Sequence, residues 1–342
     1  MNQYFATNYT HCPPRTSFLA SSKYVSSSMH IVTAISLPLS VYGSYCVIKV
    51  TPKQLKSAKW ALFNVHVWTI TFDILINIFS IPLLFFPSAS GLMLGWGPVI
   101  GIPPRFFCYS IQAVVAVFVS AAIGLLENRH SVLQTKWKIQ KKSISYAINA
   151  FNYVMSWVIV LPPYLEAFDY QAMALQALKT MPCPVEEFFD PRLIFITDKA
   201  LLLTTLMILL STMLLIQGGF YVVHTWYHLV YVHSSRVSTE TRKMQFRFFI
   251  ASLSQIGIPF TTFVVPICYI CFSVYMDYYS QAANNVLVCT LSLHGLLGTV
   301  CMLLAHKPYR AHLVKMTIGR IYTIPPKPSF IIVSNVSRAL TL

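Results

Sequence analysis

The chain has 342 residues, of which 56% are hydrophobic, 14% aromatic and only 10% charged, with a formal net charge of +15. Soluble domains carry about a quarter charged residues, so this composition cannot cover a water-exposed fold. Several uncharged stretches reach the ~20 residues that a helix needs to cross a hydrocarbon core about 30 Å thick, which makes this an integral membrane protein.

Residues 1–28 form a polar arm without the basic-then-apolar layout of a cleavable signal peptide, so the first span itself must start insertion. The arm carries Cys12 and a glycosylation sequon at Asn8-Tyr9-Thr10. The expected fold is an all-α bundle of seven spans, near 29–48, 60–86, 105–127, 144–162, 200–222, 248–276 and 285–305, followed by a tail over 306–342.

The second span holds His66, Asp73 and Asn77, separated by seven and four residues and therefore on one helix face. Asp73 is the one acid well inside a predicted span, and such a carboxylate faces the bundle interior by default. It is expected either to hydrogen-bond span one or seven, at Ser292 or His294, or to serve as a cation site or activation switch. The third span ends in Glu127-Asn128-Arg129. Glu127 and Arg129 point to different sides of the helix, so each needs a partner elsewhere, unless the segment merely anchors the helix at the interface.

His224, His228 and His233 follow the fifth span with no acid or cysteine beside them. Together with Trp226, Tyr227 and Tyr231 they read as an interfacial helix extension, and no metal or cofactor is expected. The sixth span contains Pro259 and Pro266, which remove backbone hydrogen bonds and make hinges. After the seventh span come Lys307, Pro308, Tyr309 and Arg310, with Pro308 ending that helix.

Nineteen of the 25 cations fall in the loops after spans one, three and five and in the tail, whereas seven of the ten acids lie on the other side. Positive loops stay inside, so the N-terminus is expected to be extracellular and the C-terminus cytosolic. The charge thus reports topology and attraction to an anionic bilayer surface, and nucleic acid is not an expected partner. Of eight cysteines, five lie within spans. Cys12, Cys108 and Cys183 border the oxidising side and allow three pairings. Cys12 with Cys183 is preferred because both are extramembrane. No phosphate loop, nucleophile elbow, catalytic triad or inverted repeat is present, so neither an enzyme nor a transporter is expected.

Taken together, the motifs resemble the class H serpentine receptors of nematodes, chemosensory receptors coupled to G proteins, nearly end to end. "VYGSYCVIKVTPKQLKSAKWALFNVHVW" is similar to that family's first span, Lys-rich turn and second span, and "FDILINIFSIPLLFFP" to its Asp-containing continuation. "GIPPRFFCYSIQ" running on to "GLLENRH", then "MPCPVEEFF", "QIGIPF" with "VVPICY", and "HKPYR" follow in the same order. Cys12 and Cys183 match the family pattern, whereas Cys108 is particular to this chain. Glu127-Asn128-Arg129 differs from the Asp-Arg-Tyr of rhodopsin-like receptors by an amide between acid and base.

The resemblance implies a small-molecule ligand, a heterotrimeric G protein, the plasma membrane and expression in sensory cilia. An apolar ligand pocket is expected between spans three, five, six and seven at Phe107, Tyr109, Phe263, Tyr269 and Phe272. Spans five to seven carry no charge, favouring an uncharged or volatile ligand, although Arg105 and Lys199 at the rim would admit an acid. Ligand binding would swing span six at Pro259 or Pro266 and open a cleft beside Arg129. Glu127 would hold the resting state through Arg242, Lys243 or Arg247, with Glu240 as the partner of Arg129. Lys307 and Arg310 would lie along the inner leaflet or touch the G protein. The competing readings are an odorant-type ligand-gated cation channel and a seven-span zinc hydrolase, both with an internal N-terminus, and a decoy that binds ligand without signalling.

Overall fold

The structure is a computed structural model that describes residues 4, 9–12, 17–52, 56–133, 139, 141–167, 169–181, 183–232 and 238–317. Asn8, His233 and the tail beyond residue 317 lie outside the described residues. Among the described residues, seven helices are long and apolar enough to cross a membrane: span one Ser22–Val50, span two Ala58–Ser80, span three Pro104–His130, span four Lys142–Leu165, span five Ala200–Val230, span six Thr239–Tyr275 and span seven Gln281–Ala305. A further helix, Lys307–Thr317, follows span seven. Pro308 therefore sits in the first turn of this new helix instead of merely ending the old one, a position where its missing N–H costs nothing.

Span three is the axis of the bundle. Two thirds of its apolar window, 67%, is buried, against 17% for spans four and five, which turn most of their surface outward. Ala113, Ala116, Ala121 and Ala122 are buried on span three and let neighbouring helices approach closely. The helix packs against spans two, four, five and six.

The fold is not wholly α-helical, and span two is shorter than the apolar run that suggested 60–86. The helix ends at Ser80, Ile81 adopts a left-handed conformation at φ 41°, and Pro82–Phe85 continue as strand β1. Pro82 explains the break, because a proline disfavours the helical conformation of the residue before it. Strand β2 (Ser90–Met93) pairs antiparallel with β1, from Pro82 opposite Met93 to Phe85 opposite Ser90. Strand β3 (Ile194–Phe195) pairs antiparallel with the other edge of β2. The turn back toward span three requires glycine at position 95: a Cβ there would lie 2.6 Å from the backbone of Ile78 and Phe79, which cannot give way.

This small sheet caps one end of the bundle, and span seven secures it. Gln281 donates to the Leu84 carbonyl at 3.1 Å, Asn284 to Phe86 at 3.1 Å, and Asn285 to Leu19 at 2.8 Å and Ser21 at 3.2 Å. These amides, spaced by three and one, occupy one helical face above the sheet edge. Phe188 is fully buried and packs edge-to-face on Phe85 at 5.5 Å.

A disulfide joins Cys12 to Cys183, closing 171 residues and tying the N-terminal arm to the segment that leads into β3. Chain entropy puts such a closure at the top of the usual range, about 5 kcal/mol, and inserted helices make that a ceiling. Cys12→Ser should lower the thermal midpoint in detergent, and Cys12→Ser with Cys183→Ser should be no worse than either alone. Additive losses would mean that the two thiols stabilise the cap separately.

Candidate functional site

Directly beneath the sheet lies a cavity of about 140 Å³, with walls from spans two, three, five, six and seven and a roof of Pro82, Leu84, Phe86, Met93 and Ile196. Span three contributes Cys108, Ile111, Gln112 and Val115, a spacing of three, one and three that marks one helical face. Span six contributes Phe263, Pro266, Ile267 and Ile270.

Of the five aromatics expected to form the pocket, Phe263 alone lines this cavity. Phe107 is buried one residue off the cavity stripe and stacks on Phe79 at 6.4 Å. The Tyr109 hydroxyl donates to the Trp157 carbonyl at 2.9 Å on the span-four side. The Tyr269 hydroxyl donates to the Ser280 carbonyl at 3.5 Å, and Phe272 is exposed beside Tyr278. The 100° rotation per residue turns 107 and 109 away from the face that carries 108 and 112. Cys108, outside the preferred Cys12–Cys183 pairing, is a free thiol that lines the cavity. The rim cations are occupied: Lys199 pairs with Glu166 at 2.8 Å, and Arg105 donates to the carbonyl oxygens of Ile196 at 3.1 Å and Glu166 at 3.4 Å.

Below the cavity the contacts between helices are polar. His66 Nε2 lies 3.0 Å from the Ser40 carbonyl of span one, while Asn77 donates to the Ser292 carbonyl of span seven at 3.5 Å. Span seven breaks at Leu293, between Gln281–Ser292 and His294–Ala305. The new helix start frees backbone N–H groups, and Asp73 Oδ1 accepts one of them, from Gly295, at 3.2 Å. Asp73 thus meets span seven at Gly295, not at the side chains of Ser292 or His294. His294 points elsewhere, into Phe263 at 4.1 Å and Phe118 at 4.5 Å between ring centres, with Nδ1 3.3 Å from the Pro259 carbonyl.

The opposite end carries the Glu127-Asn128-Arg129 segment. Glu127 accepts from Ser145 Oγ at 2.6 Å and from Asn149 Nδ2 at 3.2 Å, both on span four. The expected cations are engaged elsewhere: Arg242 donates to the carbonyl oxygens of Leu229 and Val230 at 2.8 and 2.9 Å, and Lys243 pairs with Glu240 at 3.3 Å. Arg247 is exposed along a groove of about 750 Å³ beside Lys307, Pro308 and Arg310. Two neutral donors one helical turn apart satisfy Glu127 without moving a solvated cation, and Glu240 is exposed and paired with Lys243.

Arg129 meets no acid among the described residues. Its guanidinium bonds the neighbouring Asn128 side chain and lies over the Phe248 ring of span six, 4.5 Å from the ring centre, with Nε buried and unpartnered. His306 also packs against Phe248, at 4.9 Å between ring centres, and bonds Gln255 at 3.2 Å. Burial, and then the positive Arg129, hold the His306 imidazole down at about 4, so it is neutral at ordinary pH and does not repel the arginine. Tyr309 is buried and its hydroxyl lies 2.7 Å from Thr51, docking the last helix on span one. His130, not singled out from the sequence, joins His224 of span five at 2.8 Å between ring nitrogens.

A family described as the serpentine-type seven-span G-protein-coupled chemoreceptor Srh matches residues 20–319. The chain belongs to that family. Serpentine receptor class H-72 of Caenorhabditis elegans, an Srh relative, is 29% identical over 315 residues, covering 91% of this chain and 90% of that one. In fold, this Srh chain is similar to the crystal structure of squid rhodopsin, with a TM-score of 0.54 over 93% of this chain and 90% of that one at 11% identity. Srh is a receptor family and not an enzyme family.

Proposed function

We propose that this protein is a plasma-membrane chemoreceptor that binds a small uncharged molecule in the capped cavity and activates a heterotrimeric G protein at the opposite end. The observation that carries this reading is that span six borders both the cavity and Arg129. Phe263 and Pro266 of span six line the cavity, and Phe248 of the same span covers Arg129. A ligand that pushes on the wall at Pro266 bends span six where the backbone ladder is already interrupted, and Phe248 moves at the far end of the lever. Ligand binding shifts the balance only by its differential affinity for the bent form.

The sheet-capped end is read as the outer face and the groove lined by Lys243, Arg247, Lys307 and Arg310 as the inner one. An epitope tag on the N-terminus of the full chain should be labelled on intact cells, and neutral volatiles should raise calcium in cells supplied with a promiscuous G protein. A tag reached only after permeabilisation would overturn the orientation and with it the receptor reading. A calcium current independent of any G protein would favour a channel.

A further inference from the structure

The groove beside span six is about 750 Å³ and has two chemically distinct ends. Glu240, Lys243, Arg247, Ile250 and Ser254 recur at alternating steps of three and four residues, so they share one face of the helix, charged as far as Arg247 and uncharged beyond it. The same face continues through Ile258, Val265 and Phe272, all exposed. Exposed apolar side chains on a helix that crosses the membrane meet lipid, so the groove opens toward the bilayer. Across it, span seven ends at Ala305 and the last helix begins at Lys307, which adds Lys307 and Arg310 to the charged end.

Four cations here stand against one acid. Lys243 pairs with Glu240 at 3.3 Å, but both side chains are largely exposed, where such a pair is weak and screened. Arg247 and Lys307 meet no acid among the described residues, and Arg310 directs one nitrogen to the Leu304 carbonyl at 3.3 Å. An occupant that fits needs several negative charges at one end and hydrocarbon at the other. A soluble protein could meet the cations but could not follow the apolar face into the membrane. We propose that the groove holds an inner-leaflet phospholipid with a multiply phosphorylated headgroup, its phosphates among Arg247, Lys307 and Arg310 and an acyl chain along span six toward Ile258. Arginine and lysine between helix ends suit such headgroups, because each adds a charge-assisted bond to phosphate. The inference rests on the orientation proposed above, which sets the groove at the cytosolic leaflet.

The test titrates the full-length receptor in neutral detergent with dioctanoyl phosphatidylinositol bisphosphate, phosphatidylserine and phosphatidylcholine, and with inositol trisphosphate, reading bound molecules by native mass spectrometry. The bisphosphate should bind about tenfold tighter than phosphatidylserine, and inositol trisphosphate, which has no chains to bury, should bind more weakly than the bisphosphate. Arg247→Gln with Lys307→Gln should weaken bisphosphate binding about twenty-fivefold, or roughly fivefold for each cation removed. Both residues are exposed, so the thermal midpoint without lipid should not change. Lys141→Gln with Lys142→Gln removes as much exposed charge at the start of span four and should leave the affinity near wild type. Equal binding of the three lipids, equal losses in the two double variants, or trisphosphate binding as tight as that of the intact lipid overturns the proposal. So does a groove variant that keeps its bisphosphate affinity but no longer couples to G protein, which would assign the cations to the protein partner. Detergent removes sidedness, so a failure of the orientation shows only in the N-terminal tag and a failure of the lipid site only in the titration.

Discussion

Phe248→Leu should raise basal signalling, whereas Glu127→Gln should leave it near the wild-type level. Arg129 is half-buried between spans three and six, its Nε fully buried, without an acidic partner among the described residues. Its main interaction across helices is with the face of Phe248, 4.5 Å from the ring centre. A partly desolvated cation–π contact contributes about 1–2 kcal/mol, which in a two-state equilibrium is roughly a five- to thirtyfold change in the ratio of active to inactive receptor. Leucine keeps most of the apolar volume and removes the ring quadrupole, so the fold should tolerate it.

Glu127 tests the other possibility. Its partners, Ser145 and Asn149, are neutral donors on span four, a helix that does not have to move. Glutamine keeps an acceptor for Ser145, and no span-six charge is released. Surface-normalised G-protein activation without ligand separates the cases. If Glu127→Gln activates and Phe248→Leu does not, the resting state is held by the acid and the aromatic contact has no part in it. Arg129→Ala should abolish coupling in either case, because it removes the cation packed on Phe248 at that junction, while ligand-induced thermal stabilisation survives.

What could be read from the sequence divides along physical lines. The seven spans were legible because a bilayer selects on length and hydropathy, both local properties. The shared face of His66, Asp73 and Asn77 followed from spacing alone, and the geometry places them against spans one and seven. Hydropathy failed at Pro82–Phe85, since the same apolar residues serve lipid contact or a cavity roof, and Pro82 was the signal that the helix stops. Four of the five expected pocket aromatics lie off this cavity because helical phase, more than residue type, decides which side chains face it. Reading Cys108, Ile111, Gln112 and Val115 as a stripe would have found the wall and its one polar group. The partner of Glu127 was sought among charges, yet buried carboxylates are satisfied as well by hydroxyl and amide donors, and Ser145 with Asn149 stand four apart on one face.

The largest effect on folding should come from Gly295→Ala, a change that elsewhere in a helix would be favourable. Gly295 sits in the first turn after the break in span seven, and a methyl group on it would fall inside the van der Waals radius of all three atoms of the Asp73 carboxyl group. Asp73 has no room to retreat: it is 7% exposed, and Oδ2 is already unpartnered. Expelling the carboxylate breaks its bond with the Gly295 N–H and leaves two buried polar groups unpaired, at about 1–3 kcal/mol each, with overpacking of similar size added. Against a total stability of about 5–15 kcal/mol this should leave little receptor at the surface.

The same geometry predicts a rescue. Asp73→Ala alone should be mild, because it deletes the costly carboxylate and leaves one unpaired N–H. Combined with Gly295→Ala it should restore surface expression toward that of Asp73→Ala, since the space held by the carboxylate now accepts the methyl group. Surface labelling of the four receptors in one cell line measures this coupling. Additive loss in the double variant would mean that Gly295 is needed for backbone freedom at the break, and that Asp73 and span seven do not share the contact on which this polar layer is built.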